Sequence, residues 1–298
     1  MENKKAFIIT GPTSGIGYET ALALAKYGTV ILVARNQEKL NQVQKTINDK
    51  GQNAVSVVCD ISDITSVRRA AKQIIDLNLP IAGLLNNAGI MPQKATKSKQ
   101  GFDMTYATNH LGAFALTEEL IPHLADGTNV AFIVSAIEDP ERKPAKVMGM
   151  KGGRYISAEA SARGEWKEGG SKMAGIDAYA TSKQALLASS FAFARETPRL
   201  HFYAIEPGIT RGTNLGGANA VVSFIFGGLM AILPPFSRYA STAKKSAKVI
   251  TKILTDTTNS TGIYFDEKGQ PMRGSDLAHD IKFQDRVMAE TRALLQKV

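Results

Sequence analysis

The sequence predicts an α/β fold built on a parallel sheet with helices on both faces. Three observations carry this expectation. Short Val- and Ile-rich runs alternate with longer helical patterns along the chain. The runs are nearly continuous in apolar residues, as strands covered on both faces must be. The first run ends in TGPTSGIG, a glycine-rich turn that opens a helix.

The elements follow in order. KAFIIT (5–10) reads as a strand and ETALALAKY (19–27) as a helix. TVILVA (29–34) is a strand, EKLNQVQKTIND (38–49) a helix and AVSVV (54–58) a strand. DITSVRRAAKQIIDL (63–77) is a helix, IAGLLN (81–86) a strand, and a helix follows over 103–124. NVAFIVS (129–135) is the next strand. After a polar insertion over about 137–176 come a helix (177–196) and the strand LHFYAIE (200–206). GIYFD (262–266) offers a final strand and FQDRVMAETRALLQKV (283–298) a closing helix. No repeat, low-complexity tract or linker divides the chain, so one domain over 1–298 is expected.

Composition narrows the function classes. Hydrophobic residues make up 44% and charged residues 21% of the 298, which suits a globular fold with a sizeable core. Lys plus Arg exceeds Asp plus Glu by 36 to 27, a net charge of +9. The excess is scattered. Its densest runs, at 94–99 and 141–154, fall in segments that read as loops, so a nucleic-acid partner is not expected. Cys59 is the one cysteine, which excludes an intrachain disulfide and suits a reducing, cytoplasmic setting. MENKKAFIITG carries charge and no apolar stretch ahead of its strand, so no signal peptide is expected. The four histidines (110, 123, 201, 279) show no metal-ligand spacing, and no metal is expected. His110 reads as a packing residue.

One segment stands apart. From Gly212 to Ser237 there is no charge, and AVVSFIFGGLMAILPPF is strongly apolar but interrupted by Gly227, Gly228, Pro234 and Pro235. It is short for a membrane span. The first expectation is a lid over a substrate site, spanning about 212–238; the second is peripheral membrane contact through 218–236.

The motifs carry the chemistry. In TGPTSGIG, Gly11, Gly15 and Gly17 let the backbone turn tightly and approach a pyrophosphate, and the helix N-terminus adds N–H groups and positive dipole. The second strand ends in VARN, placing Arg35 where NAD-preferring sites carry an acidic residue. A guanidinium grips a 2′-phosphate and a carboxylate repels it, so NADP(H) is the expected cofactor. YATSK puts Tyr179 and Lys183 on one face of a helix. By itself such a pair is ordinary.

TGPTSGIG, CDIS (59–62), NNAG (86–89), NHLG (109–112), YATSK and EPGIT (206–210) stand together in the order found in the short-chain dehydrogenase/reductase superfamily. The chain resembles that superfamily over residues 5 to 213, with a Rossmann-type doubly wound sheet. VARN, NHLG, the long gap before Tyr179 and GIYFDEKGQPMRGS resemble its retinol dehydrogenase and carbonyl reductase-like branch. The resemblance implies that Tyr179 is the general acid in reduction and base in oxidation. A free phenol has a pKa near ~10, and the Lys183 ammonium would lower it. Lys183 would also bond the nicotinamide ribose, Ser135 would donate to the substrate oxygen, and Asn109 would hold a water linking Lys183 to solvent. Thr13, Ser14 and Ile16 would join the glycines at the pyrophosphate. Asp60 and Ile61 would lie by the adenine and Asn87, Ala88 and Gly89 by its ribose. Pro207, Gly208, Ile209 and Thr210 would lie along the nicotinamide.

Two departures from the pattern matter. Ser135 is followed by Ala136, so it is the one hydroxyl available there. The gap from Ser135 to Tyr179 is long, and its insertion would fold over the substrate pocket or block a helix-face dimer contact. Monomer and homodimer both stay open. The implied reaction interconverts a small-molecule carbonyl compound and its alcohol, and an apolar lid over 218–236 suggests that this compound is lipophilic. Reduction of a carbon–carbon double bond, as in the protochlorophyllide reductases, and a non-catalytic NADP(H) sensor remain alternatives.

Overall fold

A computed structural model describes residues 5–171, 175–211 and 236–298. The lid expectation falls almost wholly on 212–235, outside the described residues. Five strands, β1 (Ala6–Thr10), β2 (Thr29–Ala34), β3 (Ala54–Val58), β4 (Ile81–Asn86) and β5 (Asn129–Ile133), are joined by helices α1 (Gly15–Leu24), α2 (Gln37–Asn48), α3 (Ile64–Asp76), α4 (Met104–Tyr106) and α5 (Gly112–Leu120). A turn of π-helix, Ala107–Leu111, lies between α4 and α5. The segment after β5 carries α6 (Lys143–Val147) and α7 (Ala158–Arg163). Then come α8 (Ile176–Glu196), β6 (His201–Ile205), β7 (Ile209–Arg211), β8 (Ala240–Thr242) and α9 (Ala243–Leu254). β9 (Ile263–Phe265), β10 (Pro271–Met272), α10 (Asp276–His279) and α11 (Ile281–Leu295) close the chain.

Eight strands form one sheet in the order β10-β9-β6-β5-β4-β1-β2-β3. Its neighbours pair in parallel except at β10, which runs antiparallel to β9. Ile8, Ile31 and Leu84 stand side by side on one face and Ile9, Leu32 and Leu85 on the other, so the centre is apolar on both faces. The strand order reverses between β1 and β4, and this switch point opens a crevice at the carboxyl ends of the strands. Each face has its own core. α3, α5, α8 and α11 cover one with Val67, Phe114, Leu186 and Val287; α1, α2 and α9 cover the other with Leu24, Val43 and Ile250.

Local chemistry sets the element ends. Asn36 caps α2 by accepting from the Lys39 N–H, and Asp63 caps α3 by accepting from Thr65. In α3, Ile64, Val67, Ala71 and Ile74 recur at helical spacing on the buried face. α8 departs from such a stripe, since eighteen of its 21 residues are buried. The sheet lies on one side of it, and α7 and α11 pack on others.

Candidate active site

The site grows from the first strand. β1 ends at Thr10, whose hydroxyl accepts from the N–H groups of Asn87 (2.9 Å) and Ala88 (3.0 Å). The Asn87 amide returns the tie by donating to the Thr10 carbonyl at 2.9 Å. The ends of β1 and β4 are thereby locked at the switch point. Gly11 turns the chain with φ +68°. Gly17 tolerates no side chain, because a Cβ there would lie 2.2 Å from the Gly11 carbonyl oxygen. Ser14 precedes α1 without capping it, and the first turn carries no acidic residue. The helix thus presents N–H groups and positive dipole to whatever lies in front of it.

One cleft of about 1000 Å³ runs from this turn across the ends of β2, β3, β4, β5 and β6. It brings together every residue expected at the cofactor: the glycine turn, Arg35, Asp60 and Ile61, the Asn87–Gly89 stretch, and Pro207 through Thr210. Arg35 is exposed at its rim and makes no ion pair among the described residues. One Asp60 carboxylate oxygen is engaged by the N–H and hydroxyl of Ser62. A Cβ on Gly89 would sit 3.4 Å from Asn109 Oδ1 and 3.5 Å from Lys183 Nζ, so this backbone passes close to both.

Tyr179, Lys183 and Ser135 line the far half of the same cleft. Tyr179 and Lys183 lie one turn apart on α8, the ammonium 5.6 Å from the phenol ring centre. Both residues are buried. Lys183 Nζ donates to the Ile133 carbonyl at 2.7 Å. Val134 still donates to Ile205, but β5 ends at Ile133 as the chain enters a 3₁₀ turn, for which Ser135 is the preceding residue. Sequence reasoning carried that strand two residues too far.

The electrostatics differ from the expected tuning of the phenol. Burial pushes Tyr179 above its ordinary value and the Glu206 carboxylate adds to this, while a hydrogen bond with Ser135 opposes them. Lowering by Lys183 does not prevail, because a buried phenolate loses more hydration than an ammonium 5.6 Å from its ring restores. Burial also lowers Lys183, to about 8, with Glu206 acting in the opposite direction.

Asn109 does not line the cleft. Its Oδ1 accepts from the Ile90 N–H at 2.8 Å, and its Nδ2 donates to the Ile90 carbonyl and Ser182. The side chain is therefore committed to holding the NNAG loop against α8, at the π-turn of its own helix. His110 is buried between Tyr106 and Phe114, and burial lowers it to about 3. Cys59 lines the cleft, but burial raises its thiol to about 11.

Several lining residues were not foreseen. Met91, Ile137, Met148, Met150 and Ile176 form an apolar wall. Arg142 stacks on Tyr239 at 5.1 Å and pairs with Glu267 at 3.5 Å. The segment after β5 supplies most of this wall, and its spacing gave no signal of which residues turn inward. Glu206 had one available signal: it is a carboxylate at the end of an otherwise apolar buried strand.

The doubly wound sheet, with a glycine turn at its switch point, defines a Rossmann-type fold. The sequence profile described as short chain dehydrogenase matches residues 5–143. Polyprenol dehydrogenase of Homo sapiens is 37% identical over 125 residues, 40% of this chain and 37% of that protein. Human retinol dehydrogenase 13 is 37% identical over 123 residues, 40% of this chain and 37% of that protein. The chain thus matches well under half the length of these relatives. A Streptomyces protein provisionally named daunorubicin C-13 ketoreductase is 28% identical over 91% of this chain and 86% of its own length. Among solved structures, an uncharacterised protein from Mycobacterium paratuberculosis aligns with TM-score 0.71 and 26% identity, over 98% of this chain and 93% of its own. A short chain dehydrogenase from Burkholderia cenocepacia, solved with NADP, aligns with TM-score 0.65 and 22% identity over 90% of this chain and 98% of its own, a likeness of fold. Residues 5–143 thus match the short chain dehydrogenase family, and the described chain shares its Rossmann-type fold with the solved structures it aligns with.

Proposed function

We propose that this chain is an NADP(H)-dependent oxidoreductase interconverting a lipophilic carbonyl compound and its alcohol, with Tyr179 as proton donor and acceptor. The observation that carries the reading is the convergence of Tyr179, Lys183 and Ser135 in the cleft whose other end is the glycine turn and Arg35.

The residues fit a dinucleotide. The space a Cβ on Gly17 would fill must stay clear for the Gly11 backbone, and the uncapped start of α1 faces the cleft. Gly11, Thr13, Ser14, Gly15, Ile16 and Gly17 would hold the pyrophosphate, and Arg35 the 2′-phosphate. Asp60 and Ile61 would border the adenine and Asn87, Ala88 and Gly89 its ribose. Pro207, Gly208, Ile209 and Thr210 would border the nicotinamide. When bound, the cofactor supplies or takes up the hydride.

The chain supplies the proton chemistry. The Tyr179 phenol, kept protonated by burial, gives its proton to the substrate oxygen in reduction. Ser135 donates a hydrogen bond to that oxygen as charge develops. Lys183 has donors beyond the one spent on Ile133, enough to engage ribose hydroxyls and to feed the proton path. The wall of Met91, Met148, Met150 and Ile176 favours an apolar substrate body.

The test compares NADPH with NADH consumption over a panel of aldehydes, ketones and quinones, with Tyr179→Phe beside the wild type. The expected result is NADPH oxidation, with kcat of Tyr179→Phe reduced about 10²–10⁴-fold. Preference for NADH would defeat the role given to Arg35, and full activity in Tyr179→Phe would defeat the mechanism.

A further inference from the structure

A buried carboxylate joins the two backbone segments that flank the reacting groups. Glu206 directly follows β6, lines the cleft and is only 8% exposed. One of its oxygens accepts from the Ala136 N–H, the residue directly after Ser135. The other accepts from the Gly208 N–H at 3.0 Å, in the turn proposed to border the nicotinamide. That turn is tight. Gly208 has φ +77°, and a Cβ there would lie 2.7 Å from the Tyr239 carbonyl oxygen. Pro207 is held from the other side, its carbonyl accepting from Ser246 at 2.9 Å.

We infer that Glu206 is a positioning residue for the proposed reaction: its carboxylate sets the Ser135 hydroxyl and the Pro207–Gly208 turn in register and places acidic charge against the Tyr179–Lys183 pair. This rests on the reading of Tyr179 as the proton donor. An uncharged acceptor pair could not replace it without loss. Glutamine keeps one carbonyl oxygen but turns an NH₂ group toward the second N–H. The charged and titratable surroundings are Tyr179 and Lys183 on α8, Arg142 and Glu138 from the segment after β5, and Glu267 and Tyr264 at β9. Burial raises the Glu206 carboxyl, opposed by its Ala136 and Gly208 N–H donors and by Arg142; in its ionised form it raises both Tyr179 and Lys183, so its removal moves both downward.

The experiment uses the full chain with Glu206→Gln, Glu206→Ala and Tyr179→Phe. It measures NADPH affinity by fluorescence titration, kcat against pH in the reduction direction, and thermal unfolding. NADPH affinity is expected to fall about tenfold in Glu206→Ala and less in Glu206→Gln, with kcat in the same order. The alkaline limb of kcat, where the proton donor is lost, is expected to move down by about one pH unit in Glu206→Gln. Wild-type affinity, kcat and limb in both variants would overturn the inference. So would a kcat loss that tracks a lower unfolding temperature with the limb unmoved, which marks a structural role only. A wild type without turnover, or full activity in Tyr179→Phe, would instead sink the reading of the site and this inference with it.

Discussion

The two ends of the cleft are built in different ways. The end at the glycine turn is made largely of backbone. Thr10 ties Asn87 and Ala88 to β1, Gly17 leaves no room beside the Gly11 carbonyl, and α1 begins uncapped. The end beyond Tyr179 is made of side chains, and much of its wall, Ile137, Met148 and Met150 included, comes from the segment between β5 and α8. A backbone surface has few ways to change and suits an invariant ligand. A methionine-lined surface adapts its shape, and suits a substrate that differs from one relative to another.

That contrast predicts unequal costs. The largest effect is expected at the backbone end. In Gly17→Ala the new methyl group would meet the Gly11 carbonyl and the Asn87 amide, 2.2 and 2.6 Å from its position. Neither can retreat without opening the β1–β4 lock. NADPH affinity should fall about 100-fold, corresponding to roughly 2.7 kcal/mol. Near-normal binding in a fluorescence titration would show that the turn is more plastic than its geometry says.

Arg35→Ala should cost less, because it removes one contact and leaves the turn intact. Charge-assisted hydrogen bonds contribute about 1.5–3 kcal/mol, so NADPH affinity should weaken roughly 10- to 100-fold while NADH affinity stays put. Equal loss for both cofactors would mean that Arg35 holds the loop and not the 2′-phosphate. At the side-chain end, Met150→Ala should raise KM for an apolar substrate about tenfold and leave NADPH affinity unchanged. A change in NADPH affinity there would erase the division between the two ends.

The same contrast explains what was legible in the sequence. β2, β3 and β4 were placed to the residue, because apolar runs bounded by turn residues leave one register. The glycine turn of the proposed cofactor site was legible for a related reason: a glycine needed by backbone geometry is visible as a letter. The side-chain end was not. Met148 and Met150 face the cleft because α6 folds the chain over it, and a methionine in a polar stretch does not announce which way it turns. The π-turn at Ala107–Leu111 carries Asn109, which meets Ile90 across 19 residues of sequence, a contact that no local pattern displays. α9 has an amphipathic pattern, AKKSAKVITKIL, and lies outside the elements expected from the sequence. α1 begins at Gly15, four residues before the expected start, since the low helix propensity of Gly15 and Gly17 is outweighed by the packing of the turn.

The remaining effect concerns stability and leaves both ends of the cleft intact. Glu138 lies behind the side-chain end, fully buried, and accepts from both the N–H and the hydroxyl of Ser275. Burial raises its carboxyl to about 7; the Ser275 hydrogen bonds oppose this, and Asp139 and Glu206 add to it. An acid whose folded value lies above its unfolded value of 4.5 holds a proton that the unfolded chain has released. Stability therefore falls as pH rises from about 4.5 to 7, and stays lower above that range. Glu138→Gln removes this dependence and keeps both partners, its carbonyl accepting from the Ser275 N–H and its amide donating to the Ser275 hydroxyl. The variant should be more stable than wild type by up to about 3 kcal/mol at pH 8. The advantage should shrink toward zero near pH 4.5. Urea unfolding at pH 5 and pH 8 measures both values. A difference that does not change with pH would mean that the Ser275 contacts hold Glu138 ionised throughout, and that the carboxylates behind the cleft carry their charge in the folded chain at every working pH.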